Sequence, residues 1–214
     1  AMPAAVISAS PLMSLRAGNT SRELTAPGIV GNDFDRLYIR KRPIPTIGWP
    51  TGVLVRVAAS SVNPIDWKLV KYSIPGFPIT FPATLGFDMS GTVLAVGPGC
   101  RLGLRPGDRV WADLGDPNGA FLGGYADHVV ADETQLGKVP PGLGLLEAAT
   151  LPLVAMTTRA ALHAAGAPWA PPNSSPPSTS RTDRQAARGP VVVVLGGSGG
   201  CGYTGVMMAR RGYG

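Results

Sequence analysis

The stretch Val191-Val192-Val193-Val194-Leu195-Gly196-Gly197-Ser198-Gly199-Gly200-Cys201-Gly202 decides how the rest of the chain is read. Five consecutive apolar residues leave no polar face, which suits a parallel strand covered on both sides. The run enters a glycine-rich turn and then a segment of helical composition from Tyr203 to Arg211. Gly197, Gly199 and Gly202 satisfy G-x-G-x-x-G in the order strand, turn, helix. The first glycine permits the sharp turn, the second lets the backbone approach a pyrophosphate, and the third lets the helix pack close to the strand. The helix N-terminus then offers free amides and a partial positive charge to that phosphate. Ser198, Gly200 and Cys201 complete the expected cradle. The same letters also suit a glycine-rich surface turn, and it is the flanking strand and helix that favour a dinucleotide. A P-loop is excluded, because no Lys-Ser/Thr pair follows the glycines.

Upstream the pattern is different. Val53, Val55 and Val57 alternate with Leu54 and Arg56, the period of two of a strand with one buried face. Further strands are expected at Gly91–Val96, Asp108–Ala112, Tyr125–Val130 and Leu136–Val139, and another near Ala5-Val6-Ile7. Turn signals separate them, among them Gly97-Pro98-Gly99, Arg105-Pro106-Gly107 and Pro140-Pro141-Gly142. Short strands at this spacing suggest an antiparallel barrel or sandwich. From Leu145 the composition turns helical, with helices expected over Leu145–Ala149 and Val154–Ala165. Pro152 separates or kinks them and Gly166 stops the second. Residues 168–189 are rich in Pro, Ser and Thr, a composition that predicts a disordered insertion.

The chain has 214 residues, with 29 glycines and 22 prolines. That glycine and proline excess would suggest low complexity, but 44% hydrophobic residues call for a packed core. Two cysteines, Cys100 and Cys201, cannot build a disulfide framework or a Cys-rich zinc module, so an intracellular chain is expected. The compartment, cytoplasm or organelle, stays open. The first 32 residues bear a faint likeness to an organelle transit peptide. No apolar run reaches the roughly 18 residues of a membrane span. The net charge of +6 is scattered. Its densest group, Arg36, Arg40, Lys41 and Arg42, lacks interleaved aromatics, so a solvated surface is expected and no nucleic-acid partner.

Several segments together carry a resemblance. Val53 to Asp66 (VLVRVAASSVNPID), Leu85 to Gly97 (LGFDMSGTVLAVG), Arg105 to Val110 (RPGDRV), Gly123 to Val130 (GGYADHVV) and the glycine turn 196–202 occur in the order seen in medium-chain dehydrogenases/reductases. The likeness is to the zinc-free quinone oxidoreductase branch and covers roughly residues 50–166 and 190–211. It implies a mixed α and β chain: a GroES-like, β-rich catalytic domain over 1–147, then the start of a Rossmann nucleotide-binding domain. Residues 148–214 are expected to hold an interdomain helix, the insertion, and the first strand, turn and helix of that second domain. The active site is then implied in the cleft between the domains.

The resemblance also implies the chemistry. Zinc-dependent members carry a Cys where this chain has Asn63-Pro64 and a His where it has Phe87 in Gly86-Phe87-Asp88, so no metal site is expected. Without a Lewis acid, alcohol oxidation lacks its means of polarising oxygen. Hydride transfer from NADPH, preferred over NADH, to a quinone or an α,β-unsaturated carbonyl fits better, because the conjugated acceptor delocalises the incoming charge. Asn63 is implied beside the nicotinamide, its amide donating to the acceptor carbonyl; on residue chemistry alone it is equally a turn residue before Pro64. Asp66 reads as a structural residue orienting the loop. Thr157 matches a threonine that touches the nicotinamide, or else is a helix hydroxyl bonded to its own backbone. Tyr72 lies two positions from where some enoyl reductases keep a proton-donating tyrosine, and Ile74 fills that position, so protonation would fall to solvent. His128 and His163 have no partner at a useful spacing and read as structural or surface residues. Cys201, beside a helix N-terminus, reads as a small packing residue and a candidate redox-sensitive thiol.

A Rossmann half needs more strands, and the residue choosing NAD or NADP comes about 20 residues past the glycines, so the sequence reads as a truncated reductase. A full-length form is expected to be a homodimer. The alternative is a non-catalytic GroES-like binding module, or an inactive truncated product.

Overall fold

The computed structural model describes residues 6–8, 20–72, 79–115, 123–166 and 192–213. The described residues divide into two compact units, one within Ala4–Leu153 and the other within Val154–Gly214. The insertion expected at 168–189 lies outside the described residues, as does Ile74.

The larger unit is built on β4 (Gly52–Ser61), the longest strand of the described residues. Its first half follows the alternation of the sequence: Val53, Val55 and Val57 are buried and Arg56 is exposed. From Ala59 to Ser61 every residue is buried, so both faces of the strand are covered at the end where the polar residues gather. One edge of β4 pairs antiparallel with β6 (Asp88–Val96), with irregular register at Leu54/Val55 and Val57/Ala59. The other edge is shared end to end by β1 (Val6–Ser8) and β8 (His128–Asp132). The sheet continues from β6 to β7 (Arg109–Asp113) and β9 (Leu136–Lys138). Val53, Val55, Met89, Val93, Val110, Ala112, Leu114, Val129 and Ala131 form its core. The strands expected between Ala5 and Val139 are thus present, the one expected at Tyr125–Val130 as 128–132, with Ala126 making only an isolated bridge to Glu23.

A second, three-stranded sheet was not legible in the sequence. It orders β3 (Tyr38–Pro43), β2 (Thr20–Ala26) and β5 (Ala83–Thr84). The basic group expected to be solvated is largely β3, where Arg40 and Arg42 both approach the Glu23 carboxylate, at 2.6 and 3.7 Å. Ala26, Val30, Val70 and Leu85 pack beneath this sheet, with Tyr125 partly buried against them. A short helix, α1 (Pro64–Lys71), follows β4 directly. Its start is written in the chain: Asn63 as N-cap, Pro64 in the first turn and Asp66 three residues on form a capping box. α2 (Leu145–Ala148) closes the unit, and α3 (Pro152–Ala164) begins at its last residues. Pro152 is the first residue of α3 and does not kink it, since a missing N–H costs nothing at that position. Gly166 ends α3 with a positive φ of 71°.

The smaller unit holds the rest of α3, residues 192–199 and α4 (Gly200–Tyr213). Here the sequence reading needs correcting. Residues 192–194 form no strand, and Val193 and Leu195 are 77% and 91% exposed. A strand apolar on both faces forms only where neighbours pair with its edges, and no described strand pairs with this segment. Among the described residues no helix is long and apolar enough to cross a membrane.

Candidate functional site

In the larger unit, the end of β4 and the N-terminus of α1 bring a set of polar groups into a buried position. Asn63 is 5% exposed and Asp88, at the start of β6, is fully buried. The Asn63 side-chain amide donates to Asp88 Oδ2 at 2.7 Å, and Ser61 Oγ donates to the same oxygen at 2.5 Å. The backbone N–H of Leu153 donates to Asp88 Oδ1 at 2.7 Å. Asp66 Oδ2 accepts from the Asn63 backbone N–H at 2.6 Å and from the Tyr125 hydroxyl at 2.8 Å. The Tyr125 hydroxyl also reaches the Ser61 carbonyl, at 3.2 Å.

Glycines make this convergence possible. Gly86 has φ +98°, and a Cβ there would meet the Tyr125 ring at 2.5 Å. A Cβ on Gly124 would stand 2.5 Å from the Asp88 carbonyl oxygen. The glycines of the Gly86-Phe87-Asp88 and Gly123-Gly124-Tyr125 segments therefore let these two stretches of backbone touch.

Burial is the main reason that both carboxyls are pushed up to about 6. For Asp88 the donors Ser61, Asn63 and Leu153 work against that rise, while Asp113, its cross-strand partner in β7, adds to it. For Asp66 the Asn63 and Phe87 backbone N–H groups and the Tyr125 hydroxyl oppose it, and Asp88 adds to it. Burial, and then Asp66 itself, drives the Tyr125 hydroxyl far above its ordinary range, so it is a donor at every ordinary pH. Phe87 is buried, and its hydrocarbon side chain has no atom that could ligate a metal.

The smaller unit carries the glycine turn. Its positive-φ residue is Gly196 (φ 72°), one position before the glycine expected to make the sharp turn. Gly199 N–H bonds to the Gly196 carbonyl at 3.0 Å, and α4 begins at Gly200. A Cβ on Gly202 would overlap the Gly196 carbonyl oxygen, so the third glycine of the motif is required by packing. Gly197 and Gly199 are different. The nearest described atoms to a Cβ there lie at 3.9 and 3.5 Å, so no neighbour among the described residues demands glycine at either position. The bare backbone they present beside the first-turn amides of α4 fits a phosphate-bearing group. Ser198, Gly199, Gly200 and Cys201 are all exposed.

Thr157 lies on α3, exposed, and lines a mostly apolar cavity of about 280 Å³ together with Cys201, Gly202 and residues 192–195. Its neighbour Thr158 is the buried one, and its hydroxyl donates to the Cys201 carbonyl at 3.0 Å. Thr158 therefore ties α3 to the glycine turn, a part the sequence reading did not assign. Asp88, Ser61 and Tyr125 were also missed. One signal was available, for Asp88: it is the only charged residue in the strand-forming run from Phe87 to Val96. Tyr72 is exposed at the end of α1. His128 sits half-buried in β8, its pKa lowered by burial, and His163 is exposed on α3.

Comparison with known proteins places this geometry. Residues 49–141 match the alcohol dehydrogenase GroES-like domain. A chloroplast envelope quinone oxidoreductase homolog of Arabidopsis thaliana is 33% identical over 78% of this chain and 46% of its own length. A trans-enoyl reductase of Fusarium heterosporum is 36% identical over 74% of this chain and 41% of its own. The crystal structure of an alcohol dehydrogenase superfamily protein from Novosphingobium aromaticivorans superposes with a TM-score of 0.72 at 28% identity, covering 90% of this chain and 51% of that one. The chain spans about half the length of the curated relatives it matches.

Proposed function

Because the chain belongs to the medium-chain dehydrogenases/reductases, through the GroES-like domain at residues 49–141, we propose that it serves zinc-independent hydride transfer from NADPH to a quinone or an α,β-unsaturated carbonyl. The observation that carries this reading is the turn Gly196–Gly202, where no described neighbour crowds a Cβ at Gly197 or Gly199. In this role the amides of Gly200, Cys201 and Gly202 hold the pyrophosphate, Ser198 adds a hydroxyl beside it, and Thr157 steadies the nicotinamide. The cofactor, when bound, supplies the hydride. Asn63 donates the second N–H of its amide, the first being held by Asp88, to the acceptor's carbonyl oxygen. That bond strengthens as negative charge develops on the oxygen, which makes it selective for the transition state. Solvent protonates the carbon of an enone product; a quinone takes its proton at oxygen. The named relatives, a quinone oxidoreductase homolog and an enoyl reductase, support both acceptor classes.

Titration with NADPH and with NADH, followed by cofactor fluorescence, tests the reading. Saturable binding below millimolar concentration, tighter for NADPH, is expected, as is its loss in Gly202→Val. No binding of either nucleotide at millimolar concentration overturns it.

A further inference from the structure

Asp88 receives three hydrogen bonds from three places in the chain: the end of β4 through Ser61, the N-cap of α1 through Asn63, and the first turn of α3 through Leu153. All three partners are donors, so the ionised carboxylate is the form they match. Burying a carboxylate is costly, and a buried ionic group is weak grounds for inferring a gain in stability. What the arrangement does fix is a direction. An amide side chain has two faces of opposite hydrogen-bonding character, and without a partner it can turn by 180°. With its nitrogen against Asp88 Oδ2 and its N-cap position set by the capping box with Asp66, Asn63 has one orientation.

We propose that Asp88 is a positioning residue, whose carboxylate locks the Asn63 amide so that its second N–H is presented in a single direction to an acceptor oxygen. The proposal rests on the role given to Asn63 above and deepens it. The ionisable groups around Asp88 are Asp66 of α1, Asp113 of β7 and Tyr125, and the two other acids, like Asp88, are pushed up mainly by burial. Protonation of Asp88 weakens the lock, since a neutral acid accepts a weaker hydrogen bond than a carboxylate.

The test is an NMR titration of the ¹⁵N-labelled chain, following the Asn63 side-chain amide between pH 5 and 8. In the wild type both amide protons are expected to shift with a midpoint near 6, the value to which Asp88 is raised. Ser61→Ala removes a donor to the charged form, so the midpoint should move upward while the titration persists. Asp66→Asn should leave the titration in place. In Asp88→Asn it should vanish, and amide-proton exchange should quicken on the order of tenfold, equivalent to about 1.4 kcal/mol. A static Asn63 amide in the wild type overturns the proposal, and so does a titration that Asp66→Asn abolishes or that Ser61→Ala leaves at the same midpoint. The last two comparisons decide the matter even if Asp88→Asn does not fold. NADPH titration of the same samples separates the two readings: a wild type that binds no nucleotide removes the hydride-transfer reading, while the Asn63 resonances still decide the role of Asp88.

Discussion

The acid network of the larger unit and the glycine turn of the smaller one treat polar backbone and side-chain groups in opposite ways. Around Asp66 and Asp88, donors from several elements converge on two buried carboxyls, and glycines are used to bring backbone into contact. In the turn, the side of Gly197 and Gly199 that a Cβ would occupy has no described atom nearer than 3.9 and 3.5 Å. Glycine thus serves closure at Gly86 and Gly124 and openness at Gly197 and Gly199. A saturated network can hold a group still, whereas an unsaturated turn can receive one.

The contrast can be broken most strongly through the core that supports the network. Leu114→Ala, at a fully buried position of that core, is expected to cost about 3–5 kcal/mol in chemical denaturation of the larger unit. A loss below about 1 kcal/mol would mean that the network does not rest on this core.

Acidity is the next lever. Asp66 and Asp88 are raised in the folded chain to about 6 from 3.8. An acid raised by folding binds its proton more tightly when folded, so the linked stability is full below the unfolded value and is lost as pH rises through about 6. The larger unit should therefore unfold at lower denaturant at pH 7.5 than at pH 5, by on the order of 3 kcal/mol in extrapolated stability. Asp132, lowered to about 2 chiefly by the Thr51 hydroxyl, acts in the other direction, and only as pH falls below about 4. A flat profile between pH 5 and 7.5 would show that the carboxyls are not desolvated as described.

Gly197→Ala sharpens the comparison at the open turn. The added methyl would come no nearer than 3.9 Å to a described atom, an ordinary van der Waals contact, so thermal stability should stay within about 0.5 kcal/mol of the wild type. NADPH affinity should fall on the order of tenfold, about 1.4 kcal/mol. A change in stability with affinity retained would place Gly197 among the closing glycines.

Arg22→Ala has the smallest expected effect. Its guanidinium lies 2.9 Å from Asp127, but its side chain is 50% exposed, so the loss should stay below about 1 kcal/mol and shrink further in high salt.

The sequence carried β4, β6 and β7 because each has one continuous apolar face, and β9 because the turn Pro140-Pro141-Gly142 marks its end. It carried α3 because Gly166 stops a run of good helix formers. It did not carry β2 or β3, whose polar and charged residues give no apolar stripe, nor β5, which is two residues long and pairs with β2 far away in the sequence. The five apolar residues at 191–195 misled for a physical reason: local composition sets the capacity for a buried strand, but ladder partners decide whether one forms. At the site, the capping box of Asn63 and Asp66 was written in their spacing, whereas the bond from Asn63 to Asp88 spans 25 residues and depends on how β4 and β6 register.

The outermost strand of the small sheet has a consequence for solubility. β3 pairs with β2 on one side, and no described strand covers its other side. A free edge is a template for adding a strand from another molecule. Here that edge runs through Arg40, Lys41 and Arg42 and ends in Pro43, which has no N–H to offer. Like charges meeting like charges, and a missing donor at the end of the row, disfavour the addition of a second copy's β3 at this edge.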